Sequence, residues 1–195
     1  MTTAVQTQPD QGLNTMESVQ AELAELKQRV EALEPGQQNK LSMIVFSGEL
    51  DKLLASMIIA TGAAAMGMKV VLFFTFWGTA ALRKPDANVG GKDLMAKMFG
   101  WMLPKGRNKV KLSKMNMGGM GTAMLKGLMK KKNAPSLDQL FDMAAQLGVE
   151  IKVCEMSMDL MGFKREEIID YPNMEYVGVA TFLAHAGESK NQLFL

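Results

Sequence analysis

The chain has a single cysteine, Cys154, and a single histidine, His185. A thiol is a strong nucleophile only as thiolate, so its surroundings decide what it can do. Cys154 ends the strand-like run VEIKVC (149–154), where a turn begins. A helical turn following it can aim N–H groups back at the sulfur, lowering a thiol pKa and favouring thiolate. Free cysteine is also among the most buried residue types. The residues alone therefore weigh somewhat toward a packing cysteine. His185 reads as an ordinary surface or helix-end histidine; an acid–base role would require hydrogen-bond reach of its target. One cysteine and one histidine offer no zinc-site spacing and no intrachain disulfide. A reducing, cytoplasmic compartment is the natural expectation.

Other residues could build a pocket around the sulfur. Gly118-Gly119-Met120-Gly121, followed by a helical stretch, suggests a backbone nest for an anion, with Asn116 nearby. A flexible turn accounts for it equally well, and it is neither a P-loop nor a GxGxxG fingerprint. Ser47-Gly48 follows the first strand-like run and Trp77-Gly78 ends the second. At those ends they offer N–H donors and a pocket wall, or simply a helix cap and core packing. Met156 and Ser157 follow Cys154 directly. Methionine usually fills cores, although a soft, Met-lined pocket suits sulfur. No metal or organic cofactor is expected.

Positioning these groups requires an α/β frame. MIVFS (43–47) and KVVLFFTFW (69–77) flank an apolar helix reaching Met66, with Gly67 breaking it. That is a βαβ pattern, with Ser47 as a candidate cap. SLDQLFDMAAQLG (136–148) reads as a capped helix before the Cys154 strand, with short helical turns at 157–162 and 164–169 beyond. Tyr176 to Ala186 reads as helix and NQLFL (191–195) as a closing strand. The expectation is a parallel sheet of four to five strands with helices on both faces, its ligands at the strands' carboxyl ends. Leu53–Met68 and Val70–Leu82 are apolar, but neither alone reaches the roughly 20 residues of a membrane span.

Three further segments complete the organisation. Residues 1–12 are polar and read as a disordered tail. In 13–36, Met16, Val19, Leu23, Leu26, Val30 and Leu33 repeat at spacings of three and four, an a/d heptad seam before Pro35-Gly36. The α/β domain spans 40–195, with an insertion at 83–134 holding short helices at 92–102 and 122–131. Lys105, Arg107, Lys109, Lys111, Lys114, Lys126 and Lys130 to Lys132 lie in a stretch without Asp or Glu. Such a stretch is usually a solvated face, and can steer an acidic partner protein. Nucleic acid is disfavoured by a net charge of only +2 and by the lack of stacking aromatics. A membrane surface is a lesser alternative.

FSGELDKLLASMIIATGAAAMGMKVVLFFTFWG (46–78), KMNMGGMGTAM (114–124), CEMSMDLMGF (154–163) and YVGVATFL (176–183) resemble the DsrE/DsrF-like sulfur-relay family, in its larger, Met-rich subgroup. The resemblance covers nearly all of Lys40 to Leu195; the heptad helix is an addition. It implies a flavodoxin-like fold, homo-oligomers and sulfur trafficking. It also implies that Cys154 accepts sulfane sulfur as a persulfide and passes it on, as a sulfurtransferase or carrier beside rhodanese-like and TusA-like proteins. Some members of the subgroup carry another cysteine in the middle segment; here 83–134 has none, which leaves a single-site carrier. The alternatives are an oligomeric interaction protein with a structural cysteine, and an accessory subunit of a disulfide or sulfur reductase.

Overall fold

The computed structural model describes residues 11–33, 38–85 and 94–195. Residues 1–10 of the expected 1–12 tail and the Pro35-Gly36 stop lie outside them, whereas Gln11 and Gly12 are helical. The chain divides into two units, Met1–Gln37 and Gln38–Leu195. The first contains helix α1 (Gln11–Leu33), which carries the heptad seam.

The second unit is built on five parallel strands: β1 (Gln38–Val45), β2 (Lys69–Phe74), β3 (Glu150–Cys154), β4 (Met174–Val177) and β5 (Ser189–Phe194). Their order in the sheet is β4-β3-β2-β1-β5, so the Cys154 strand is flanked on both sides. In register, Ile44 pairs with Phe73, Phe73 with Lys152, and Cys154 with Val177. The two-residue strand period sorts the side chains. Leu41, Met43, Val45, Leu72, Phe74, Ile151 and Val153 join the main core with α2 (Leu50–Ala65) and α5 (Leu137–Gln146). The alternate residues Phe73 and Cys154 face the other way and pack with Phe182 and Ala186 of α7 (Val179–Gly187). Helices thus lie on both faces of a flavodoxin-like sheet.

Between β2 and β3 come a 3-10 helix (Phe76–Leu82), α3 (Leu94–Met102) and α4 (Met120–Lys131). Helix α6 (Glu155–Met161) follows Cys154. Ser136 caps α5 through a reciprocal capping box with Gln139.

Two local expectations give way. Tyr176 and Val177 are not helical: Met174–Val177 forms β4, and the helix starts only after Gly178, whose φ of −83° and ψ of 168° are extended. Pairing with β3 outweighs the helical spacing of this apolar run. Ser47 does not cap α2 either; its Oγ accepts from Lys52 Nζ at 3.1 Å. The leading amide of α2, Leu50 N, instead donates to Lys111 O of the insertion at 2.8 Å. Asp51 likewise accepts from Ser113 N at 2.8 Å. The insertion is thus tied down at the start of α2.

A buried ion pair fixes the region where the insertion leaves the core. Arg83 Nη2 lies 3.3 Å from Glu167 Oε2, with both residues buried. Arg83 also donates to Gly100 O and covers the Phe163 ring at 4.7 Å. Removing one partner of such a pair strands the other charge, which costs about 3–5 kcal/mol. Glu167→Ala is expected to lose about that much in urea unfolding, whereas Lys84→Ala, whose ion-pair partner Asp170 is exposed, should lose under about 1 kcal/mol.

Candidate functional site: the face of the sheet under α7

Cys154 closes β3 and adopts the extended backbone (φ −70°, ψ 110°) of a residue preceding a helix. Its side chain makes no capping hydrogen bond to α6. The residue is only 3% exposed. Phe73, Phe182 and Ala186 bury it, with Ile44 and Val177 packed alongside. Phe182 stacks on Phe73, ring centroids 4.8 Å apart and planes 17° from parallel. A single nine-residue helix, bounded by Gly178 and Gly187, therefore forms much of the cover over the thiol. Its outer side leaves Val179 and Leu183 exposed.

The same face turns polar toward the amino ends of the strands, where it anchors the far end of α7. Lys40 is 1% exposed. Its Nζ lies 2.8 Å from His185 Nδ1 and 3.0 Å from Glu188 Oε2. Ser189 Oγ donates to His185 O at 2.7 Å, and Gln192 Nε2 donates to Ala186 O at 2.8 Å. Lys152, also buried, pairs with Glu175 at 2.8 Å and Glu150 at 3.0 Å. Burial opposes the charge of Lys152, but the bonds from these two carboxylates raise its pKa above the ordinary lysine value. Burial first, then the Lys40 charge, lowers the His185 pKa below its ordinary 6.5. Neutral His185 thus presents an acceptor lone pair to the lysine.

Around Cys154, Ser157 is fully buried and its Oγ sits 2.7 Å from Thr75 Oγ1, joining α6 to the end of β2. Met156 points outward and is exposed. The turns after β1 and β2 pack backbone to backbone. Gly78 N donates to Phe46 O at 2.9 Å. A Cβ on Gly48 would lie 2.4 Å from Trp77 O, and one on Gly78 2.3 Å from Val45 O. Glycine is thus required at both turns by close approach. The Trp77 side chain is 43% exposed. Phe76, between β2 and this turn, has φ +43°, a strained value for a bulky residue.

The Gly118–Gly121 turn keeps other company. Gly121 lies against Met115 O, and Gly119 N and Gly121 N both donate to Asn116 O. Asn116 Oδ1 accepts from Thr122 Oγ1, which in turn accepts from Leu112 N. Through Lys111 and Ser113 this segment is fixed to the start of α2, on the sheet face opposite to α7. The structure therefore brings Ser47-Gly48 beside Trp77-Gly78, and Ser157 beside Thr75. It engages the amides of Gly119 and Gly121 within their own turn. Phe73 and Phe182, which cover the thiol, were not singled out in the sequence because aromatic residues in apolar runs read as core. The Lys40–His185 contact spans 145 positions and no spacing announces it.

A cavity of 790 Å³ lies elsewhere, between the end of α4 and the start of α5. In its lining Arg107 pairs with Asp138 at 2.6 Å and Lys126 donates to Asn108 O. Among the described residues no group of three or more His, Cys, Asp or Glu could hold a metal. No helix among them is long and apolar enough to cross a membrane.

The parallel sheet, the thiol at the carboxyl end of β3 and the covering helix all fall within residues 37–194, the span matched by the profile of the DsrE/DsrF/DrsH-like family. The chain belongs to this family. The sulfur carrier protein DsrE2 of Allochromatium vinosum is 35% identical to it over 171 residues, covering 82% of this chain and 99% of that protein. An uncharacterized Bacillus subtilis protein, YrkE, is 45% identical over 159 residues, covering 82% of this chain and 98% of its own length. Helix α1 precedes the family span.

Two expectations follow for this DsrE/DsrF/DrsH-like domain. Phe182→Ala removes the stacked cover and should weaken the seating of α7 by about 3 kcal/mol or more. Labelling of Cys154 by a disulfide reagent should then quicken roughly a hundredfold, because about 1.4 kcal/mol is a factor of ten in the opening equilibrium. His185 holds its proton less tightly in the folded state than when unfolded, so its contribution to stability is lost as pH falls below 6.5. The urea midpoint should therefore fall as the pH drops below 6.5. His185→Gln, which keeps an acceptor for Lys40, should flatten that drop.

Proposed function

We propose that this chain is a sulfur-relay protein that accepts sulfane sulfur as a persulfide on Cys154 and hands it to an acceptor thiol. One observation carries the reading: the only thiol of a family domain, whose relative DsrE2 is a sulfur carrier, stands at the carboxyl end of a flanked strand. Open parallel sheets place their ligands at that edge.

The transfer is an exchange without net oxidation. The Cys154 thiolate attacks the outer sulfur of a donor persulfide, R–S–SH. A new S–S bond forms to Cys154 as the donor's S–S bond breaks. The donor leaves as R–S⁻, and the proton stays on the transferred sulfur, giving Cys154–S–SH. An acceptor thiolate then attacks that outer sulfur and Cys154 departs as thiolate. The rate depends on thiolate fraction and on access. Access is governed by α7, which must lift from Phe73 before a donor can reach the sulfur. Donor and acceptor are rhodanese-like and TusA-like proteins in a reducing, cytoplasmic setting that keeps the lone thiol free. The acid-free stretch from Lys105 to Lys132 steers acidic faces of such partners.

The burial of Cys154 favours a second reading, an interaction module whose cysteine only packs the core. Intact mass separates the two. After incubation with polysulfide, or with thiosulfate and a rhodanese, the chain is expected to gain the mass of one or more sulfur atoms. The gain should be lost on reduction and absent from Cys154→Ser. An unchanged mass in a protein whose thiol reacts normally with alkylating reagents would leave the interaction reading standing.

A further inference from the structure

Helix α1 lies outside the span that the family covers, so its role has to be found in its own residues. Met16, Leu23 and Val30 occupy heptad position a, and Val19, Leu26 and Leu33 position d. Positions b, c and f carry Glu17, Ser18, Ala21, Ala24, Glu25, Gln28, Glu31 and Ala32, a face without large apolar residues. Of the seam, Met16, Val19, Leu23 and Leu26 are 64%, 52%, 49% and 55% exposed. An apolar stripe of this length on a polar helix is half of an interface.

We propose that α1 is a dimerisation element whose seam packs, parallel and in register, against α1 of a second copy of this chain. The flanking charges choose that occupant. In a parallel pair each g residue meets the e residue five positions later on the partner helix. Glu22 at g would meet the second copy's Lys27 at e. That encounter joins opposite signs, and two-fold symmetry makes it twice. The earlier pair, Thr15 with Gln20, is neutral. The stripe therefore complements itself. Leu at both d positions around Val30 at a favours two strands over three or four. The pairing would tether two sulfur-relay domains.

A disulfide scan on the full chain tests this, with Cys154→Ala removing the native thiol. Met16→Cys stands at an a position near the start of the seam. In the parallel, in-register pair its two copies lie within the roughly 4–7 Å between Cα atoms that a disulfide spans. In an antiparallel pair centred on the seam they lie roughly 25 Å apart, at 1.5 Å per residue. Ala21→Cys stands at f and faces outward. Under oxidised glutathione, Met16→Cys is expected to yield a covalent dimer of twice the 21.4 kDa chain. Its rate should exceed that of Ala21→Cys roughly tenfold or more, because pairing raises the local thiol concentration. Adding Leu26→Lys to Met16→Cys should abolish the difference. Equal cross-linking by Met16→Cys and Ala21→Cys, or none by either, would overturn the proposal. Neither result depends on sulfur loading at Cys154.

Discussion

Cys154 is buried where one short helix meets one face of a sheet. Phe182 of α7 stacks on Phe73 of β2, and the thiol lies beneath. The opposite sheet face is covered by two longer helices and a continuous aliphatic core. The α7 face has four buried core residues and a set of polar anchors. Sheet and main core can therefore remain intact while the cover over the sulfur opens, since regions with few apolar contacts open at lower cost than the core.

That asymmetry begins in the strand sequences. In β1, Leu41, Met43 and Val45 point to the main core, while Lys40 and Ser42 point to the α7 face. In β3, Ile151 and Val153 do the first and Lys152 and Cys154 the second. A buried lysine needs an acceptor. Lys40 finds His185 and Glu188 at the end of α7, so one cation both satisfies itself and fastens the lid. Lys152 finds its two glutamates within the sheet and on its edge. The charged half of this face thus holds α7 at one end, and the apolar half shields the sulfur at the other.

Much of this was legible in the residues. Apolar runs and glycine stops marked α2, β2, α5 and β3 to within a few positions and the latter half of β1, and the heptads marked α1. The strand β4 was missed because MEYV continues into an apolar run whose helical spacing extends across Gly178. Only pairing with β3 separates strand from helix there. The cap of α2 was missed for a similar reason: its donor finds Lys111 O, contributed by an insertion more than fifty residues away. The Gly118–Gly121 run reads as an anion nest, but its Gly119 and Gly121 amides donate to Asn116 O and its anchors run to α2. Local pattern identified the thiol and the sheet edge. It did not reveal that the sulfur would be covered, because the cover comes from a helix that follows β4 and crosses to β1 and β5.

The central claim is that Cys154 is reached by local opening of α7 and not by unfolding of the domain. The most direct measurement is the rate of thiol labelling at Cys154 across low urea concentrations, compared with the slope of global unfolding. Local opening exposes little surface, so the labelling free energy should fall with a slope well below the global one. A labelling slope equal to that of global unfolding, at every concentration, would show that the sulfur is released only when the whole domain comes apart, and would contradict the account.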